Sequence, residues 1–207
     1  MEPTAEDLRT VIDDLMGRFS GIPDDNWQLN AHELDWSCRE TAAHILDDFG
    51  FYAMQLSGTK PPQESYIELQ DPPPWRDGGP QLLFYPDAGT GTPGIVSCLD
   101  AVGGLLVAVV AAAPADRRGY HPAGLSDASG FAAMGIVEAV LHCHDILTAQ
   151  GVDYRPDDAI TDRVLARLFP DVRRTSDCWQ DLLRSSGRTA ETRGRHWRWD
   201  SAVRTGR

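Results

Sequence analysis

Glu138 and His142 stand four residues apart in the stretch Met134-Gly-Ile-Val-Glu-Ala-Val-Leu-His-Cys-His-Asp-Ile-Leu147. On a helix that spacing stacks the two side chains on one face. Asp145 falls near the same line, whereas helical phase turns Cys143 and His144 away from it. The flanking residues are mostly Ile, Val, Leu and Ala. An acid and an imidazole embedded in such a helix must be paired, hydrogen-bonded or bound to a metal.

A second imidazole, His44, lies within Ala42-Ala-His-Ile-Leu46, with Glu40 and Asp48 four residues to either side on the same face. Alone, His44 reads more often as a satisfied core or surface histidine than as a ligand. Together with Glu138 and His142 it gives two imidazoles and one carboxylate, projecting inward from two helices as helical bundles build metal sites. Three protein ligands with an open position suit catalytic Zn²⁺. Non-haem Fe²⁺ and Ni²⁺ fit the same donors.

The elements that must position these residues follow from periodicity and punctuation. Thr4 caps a first helix carrying Leu8, Val11, Ile12, Leu15 and Phe19 at helical spacing, with Asp7 in its first turn. Ser37-Cys-Arg-Glu40 is a capping box that opens a second helix, which runs to about Ser57 and stops at Gly58. Residues 59–94 hold too many prolines and glycines for a helix, with at most a short extended piece at 81–85. A third helix spans about Ile95 to Ala113, apolar nearly all round and expected to be the most buried. Ser126 or Asp127 caps a fourth, which runs to about Gln150. A fifth opens at Pro156-Asp-Asp158 and stops before Pro170, and a sixth covers about Cys178 to Ser185. Trp197-Arg-Trp199-Asp suits a short strand or an extended tail. The expected fold is all-α: a four-helix bundle over residues 1–170, with short C-terminal helices and an extended tail over 171–207 packed on it.

Bulk properties narrow the partners. A formal net charge of −12 argues against nucleic acid and anionic membranes. Four scattered cysteines, Cys38, Cys98, Cys143 and Cys178, form neither a disulfide framework nor a thiolate zinc site. Reduced thiols and a polar, acidic N-terminus suggest a cytoplasmic protein. The expected partner is a small-molecule substrate, and the expected state a monomer or homodimer.

Trp36-Ser-Cys-Arg-Glu-Thr-Ala-Ala-His-Ile45 resembles the W-T-x-R-[DE]-x-x-x-H-L segment of the DinB-like metalloenzymes. Within them it is most similar to the N-terminal domain of mycothiol-dependent maleylpyruvate isomerases. Phe131-Ala-Ala-Met-Gly-Ile-Val-Glu-Ala-Val-Leu-His-Cys-His-Asp145 resembles that family's second signature, E-x-x-x-H-x-x-D. The resemblance spans roughly Leu8 to Leu168. It implies a four-helix bundle holding a divalent metal, usually zinc, through His44, Glu138 and His142, with Asp145 supporting them. It also implies a low-molecular-weight thiol as co-substrate, activated to attack an electrophilic small molecule. Isomerisation results if the thiol leaves again, and S-conjugation if it stays. Little chain follows Pro170 for the additional C-terminal domain that characterised isomerases of this type carry.

The expected pocket mouth is the Pro/Gly-rich loop together with the loop of Tyr120, His121 and Asp127. In that loop His121, Tyr120 and Asp127 are the candidate acid–base and substrate-orienting groups, although a loop histidine is also often just exposed. Arg117 and Arg118 could meet an acidic substrate or simply solvate their loop. Three functions therefore stand: a metal-dependent thiol S-transferase or isomerase, a metal-activated-water hydrolase on the same site, and a non-catalytic small-molecule binder.

Overall fold

The computed structural model describes residues 1–70, 72–193 and 198–204. Among them the regular elements are helical: α1 (Ala5–Phe19), α2 (Cys38–Ser57), α3 (Gly91–Ala112), α4 (Ala128–Ala149), α5 (Asp158–Leu168) and α6 (Cys178–Ser185), with two short 3₁₀ turns at Asp24–Gln28 and Ala88–Thr90. The fold is thus the expected all-α bundle. α1 and α2 occupy opposite corners, each wedged between α3 and α4. α5 packs on α4 and α6 packs on α5.

Side-chain caps fix the helix starts. Thr4 and Asp7 form one capping box and Ser37 and Glu40 another. Asp127, Asp157 and Asp177 each accept a backbone N–H in the first turn of α4, α5 and α6. Each such cap satisfies donors that a helix start otherwise leaves unpaired.

α3 departs from expectation twice. It begins at Gly91 rather than Ile95, because Pro93 sits in the first turn, where no backbone N–H is needed. Asp24 accepts the N–H of Thr92 at 2.8 Å, and a Cβ on Gly91 would stand 2.6 Å from that carboxylate. Nor is α3 the most buried helix. It buries one stripe, Thr92, Ile95, Leu99, Gly103, Leu106 and Val110, and leaves Leu105 half exposed on its outer side. The central helix is α4, whose residues are all buried except Ala128, Ser129, His144, Thr148 and Ala149. α3 and α4 are both long and apolar enough to cross a membrane by composition alone, but α4 is the packed core of the bundle.

The described residues of 59–90 are irregular apart from the second 3₁₀ turn, 81–85 form no strand, and 91–94 already belong to α3. This segment is nevertheless anchored. Asp47 on α2 accepts the N–H groups of Leu83 and Phe84, at 2.7 and 3.0 Å. Arg76 donates to both carboxylate oxygens of Glu40. Residues 198–204 run over the bundle without forming a strand: Ser201 N–H donates to the Ala123 carbonyl and Val203 N–H to that of Leu125. Trp197, expected at the start of the tail, lies outside the described residues.

α1 and α3 approach closely at Gly103. A Cβ there would meet Ile12 Cδ1 at 2.7 Å and its Cγ1 and Cγ2 at 3.2 and 3.3 Å, so no rotation of one methyl relieves the clash. One residue on, Gly104 has open space. Gly103→Ala should therefore lower urea-unfolding stability by about 1–3 kcal/mol through overpacking. Gly104→Ala should be neutral or gain up to about 1 kcal/mol from helix propensity. Equal effects at the two positions would contradict this packing.

Candidate metal centre

The capping box at Ser37 starts α2 so that His44 falls on its second turn, facing α4. Trp36, just ahead of the cap, packs edge-on against the His44 ring at 5.2 Å. A turn anchored by Ala31 N–H to the Trp36 carbonyl leads into it, with His32 in the left-handed backbone region at φ 45°. Such a conformation costs a non-glycine residue energy and occurs often at binding sites.

α4 supplies the other two donors. His142 Nε2 lies 3.1 Å from Glu138 Oε2, and His44 Nε2 lies 3.8 Å from the same oxygen. The imidazole rings of His44 and His142 are 5.0 Å apart. One donor atom from each residue falls within 4.8 Å of the other two. The sequence-derived triad therefore converges on one point, with a donor set of two nitrogens and one oxygen that fits a divalent cation.

Behind His142 stands a second layer of polar contacts. Its Nδ1 lies 3.1 Å from Asp145 Oδ2. Asp145 is gripped by Arg188, from Nε at 3.0 Å and from Nη2 at 2.6 Å. A carboxylate on Nδ1 fixes the tautomer and turns Nε2 toward the cation position. Asp145 is thus the supporting residue that the family resemblance implied. Arg188 belongs to the chain after α6 and was not foreseen, because nothing in sequence spacing ties it to α4.

The electrostatics follow from this geometry. Burial pushes the His44 imidazole down to about 4, and the nearby His142 adds to the effect. His44 is therefore neutral at physiological pH, with a lone pair free for coordination. Burial alone would raise Glu138, but its hydrogen bond to His142 and the positive charge around it bring the net shift downward. Burial likewise opposes protonation of His142, yet the hydrogen bonds to Asp145 and Glu138 outweigh it and raise its pKa. His142 thus stands between Glu138 and Asp145, and Arg188 pairs with Asp145 on its far side. Asp48 is pushed well above the usual carboxylate range by burial, then by the charges of Glu138 and Asp47.

The triad forms the floor of a cavity of about 680 Å³. Residues 32–34 and Trp36 make one wall, and 186–188 with Arg193 make the other. Arg193 and Glu33 form an ion pair across the rim. The expected mouth is thus corrected: among the described residues, neither the Pro/Gly-rich segment nor the 120–127 loop lines this cavity, because both pack elsewhere. Asp127 caps α4 through Gly130 N–H at 2.9 Å and also receives Arg167. Tyr120 donates its N–H to the Pro62 carbonyl and sets its ring 5.3 Å from Tyr66. His121 Nδ1 accepts the Ala123 N–H, and its ring packs between Tyr52 and Trp199. His121 is close enough to feel the charge of Glu138 but does not reach the cavity. Arg118 satisfies carbonyls of its own loop, and Arg117 lies at a separate hollow beside α3. His144 points away, as helical phase requires, and packs on His32 and Trp179.

Two outcomes follow. A cation needs a neutral His142, whose pKa is raised, so binding should release a proton and weaken on acidification. Affinity measured by calorimetry should fall by about tenfold per pH unit below that pKa, and a flat profile between pH 5 and 7 would contradict the assignment. Arg188→Ala should weaken metal binding by about 10–100-fold with the helical content retained; undiminished affinity would show that the Arg188–Asp145 pair does not orient His142.

No curated protein and no solved structure gives a match to the chain. The DinB superfamily profile matches residues 7–146, a span that runs from within α1 to within α4 and holds all three converging donors. With its all-helical bundle and its His–Glu–His cluster in the matched region, the chain belongs to the DinB superfamily.

Proposed function

We propose that the protein is a divalent-metal-dependent enzyme acting on a small electrophilic metabolite, as a thiol S-transferase or isomerase of the mycothiol type. The observation that carries this is the convergence of His44, Glu138 and His142 at the floor of an open cavity. A purely structural metal site would be closed, whereas catalytic sites leave a position for a guest.

Each residue has a part. His44 is held neutral by burial, and His142 is aimed by Asp145 and Arg188. Glu138 supplies the negative charge that a cation requires. A divalent ion bound there would supply Lewis acidity and favour the deprotonated form of a thiol. Trp36 and Leu34 give the cavity apolar wall on which an organic substrate can rest, and the Glu33–Arg193 pair marks its rim. The sulfur would then add to one carbon of an activated C=C bond, whose π pair moves onto the neighbouring carbon and its activating group. Rotation about the resulting single bond and departure of the thiolate restores the C=C as an isomer, whereas return of the thiol's proton to that neighbouring carbon gives a conjugate.

Kinship with the maleylpyruvate isomerases is supported by the two sequence signatures and by the position of Asp145 beside His142. Zinc is the ion most consistent with that kinship, and Fe²⁺ or Ni²⁺ suit the same donors.

The test compares native, chelator-stripped and metal-restored protein, each given a low-molecular-weight thiol with an electrophile such as a cis-configured unsaturated acid. Thiol-dependent turnover that vanishes on stripping and returns with metal is expected. His44→Ala and Glu138→Ala should each lose the metal and reduce turnover by at least about 100-fold. Metal content unchanged in either variant would refute the triad. Turnover by water alone would replace the proposal with a hydrolase, and metal-free protein that binds the small molecule unchanged would replace it with a binder.

A further inference from the structure

Asp48 lies one turn beyond His44 on α2, so the two side chains project to the same side. Its Oδ2 stands 3.4 Å from His44 Nε2, the atom that also faces Glu138. That oxygen is closed off from solvent and has no hydrogen-bond partner among the described residues. The preceding acid is in a different position, since Asp47 holds two backbone N–H groups of the 83–84 segment. One member of the acidic pair thus anchors a loop, and the other is aimed, unpartnered, at the face that carries the metal donors. A buried carboxylate oxygen without a donor is costly, and a cation would satisfy it.

The spacing fits on one side. Donors held at roughly 2.0–2.2 Å from one small divalent ion lie roughly 3.0–3.5 Å from one another when adjacent. The 3.4 Å separation of His44 Nε2 and Asp48 Oδ2 falls in that range, as does the 3.1 Å separation of His142 Nε2 and Glu138 Oε2, whereas His44 Nε2 and Glu138 Oε2 stand 3.8 Å apart. Asp48 lies outside the three residues whose donor atoms all fall within 4.8 Å of one another, so its ligation requires the carboxylate to turn from the His44 side toward Glu138 and His142.

We propose that Asp48 is a fourth protein donor of this centre, so that two imidazoles and two carboxylates hold the cation. The proposal rests on the three-residue site above and adds a donor to it. Two carboxylates cancel the double charge of the ion, and the added oxygen shifts preference toward oxygen-seeking ions such as Mn²⁺ and Fe²⁺. Four protein donors would fill a tetrahedral zinc shell. An ion that takes five or six ligands would keep positions for a substrate.

The experiment titrates metal-free full-length protein with Co²⁺, whose visible spectrum reports donor number and type, and measures affinity by chelator competition. Wild type, Asp48→Asn, Asp48→Glu and Glu138→Gln are compared, with circular dichroism as the check on folding. Asp48→Asn should bind Co²⁺ at least about tenfold more weakly and with a spectrum altered in position and intensity, while Asp48→Glu recovers part of the affinity. An Asp48→Asn spectrum identical to wild type overturns the proposal even if affinity falls, since lost charge alone would weaken binding without changing the ligand shell. If Asp48→Asn is unfolded, the Asp48→Glu spectrum decides: altered supports ligation, identical overturns it. Co²⁺ binding lost in Glu138→Gln but indistinguishable between Asp48→Asn and wild type removes Asp48 alone. No binding by wild type removes the three-residue site as well.

Discussion

Glu138 is a carboxylate in the middle of the most buried helix of the bundle, and the surrounding structure is arranged to accommodate it. Removing a lone carboxylate from water costs several kcal/mol even after the protein relaxes. The compensation comes from His142 one turn along α4, whose ring the Arg188–Asp145 pair holds, while neutral His44 across on α2 faces the same oxygen. Removing His142 leaves that carboxylate without its partner in a low-dielectric interior. The same constraint explains why the central helix is the one that carries the polar residues: a site in the core needs its donors on the core helix.

The helix boundaries were largely legible because their causes are local. Capping boxes at Thr4 and Ser37, an aspartate before each of α4, α5 and α6, and Gly187 after α6 are written in short stretches of sequence. The triad was legible for a related reason. Glu138 and His142 share a helix face by spacing alone, and polar residues among Ile, Val and Ala are anomalous enough to stand out. Placing His44 opposite them drew on the signature around Trp36 rather than on periodicity.

What escaped the sequence was long-range. α3 is apolar on nearly every side, so its pattern could not say which side faces solvent; Gly103 against Ile12 and the exposed Leu105 settle that only in three dimensions. The cavity walls come from the turn before α2 and the segment after α6, and no spacing rule links either to α4. Tyr120, His121 and Asp127 looked chemical because their residue types are, yet Asp127 is engaged in capping a helix and the other two pack with Tyr66, Tyr52 and Trp199. Arg188 and Asp48 gain their meaning only from the atoms they face or fail to meet.

The central claim is that one cation is held by imidazoles from two helices and a carboxylate between them. X-ray absorption at the metal edge of the loaded protein tests this most directly. The account predicts a first shell of nitrogen and oxygen only, at roughly 2.0–2.2 Å, with the outer-shell scattering of two imidazole rings. A sulfur scatterer contributed by the protein, or a shell of oxygen alone with no imidazole signature, would contradict it.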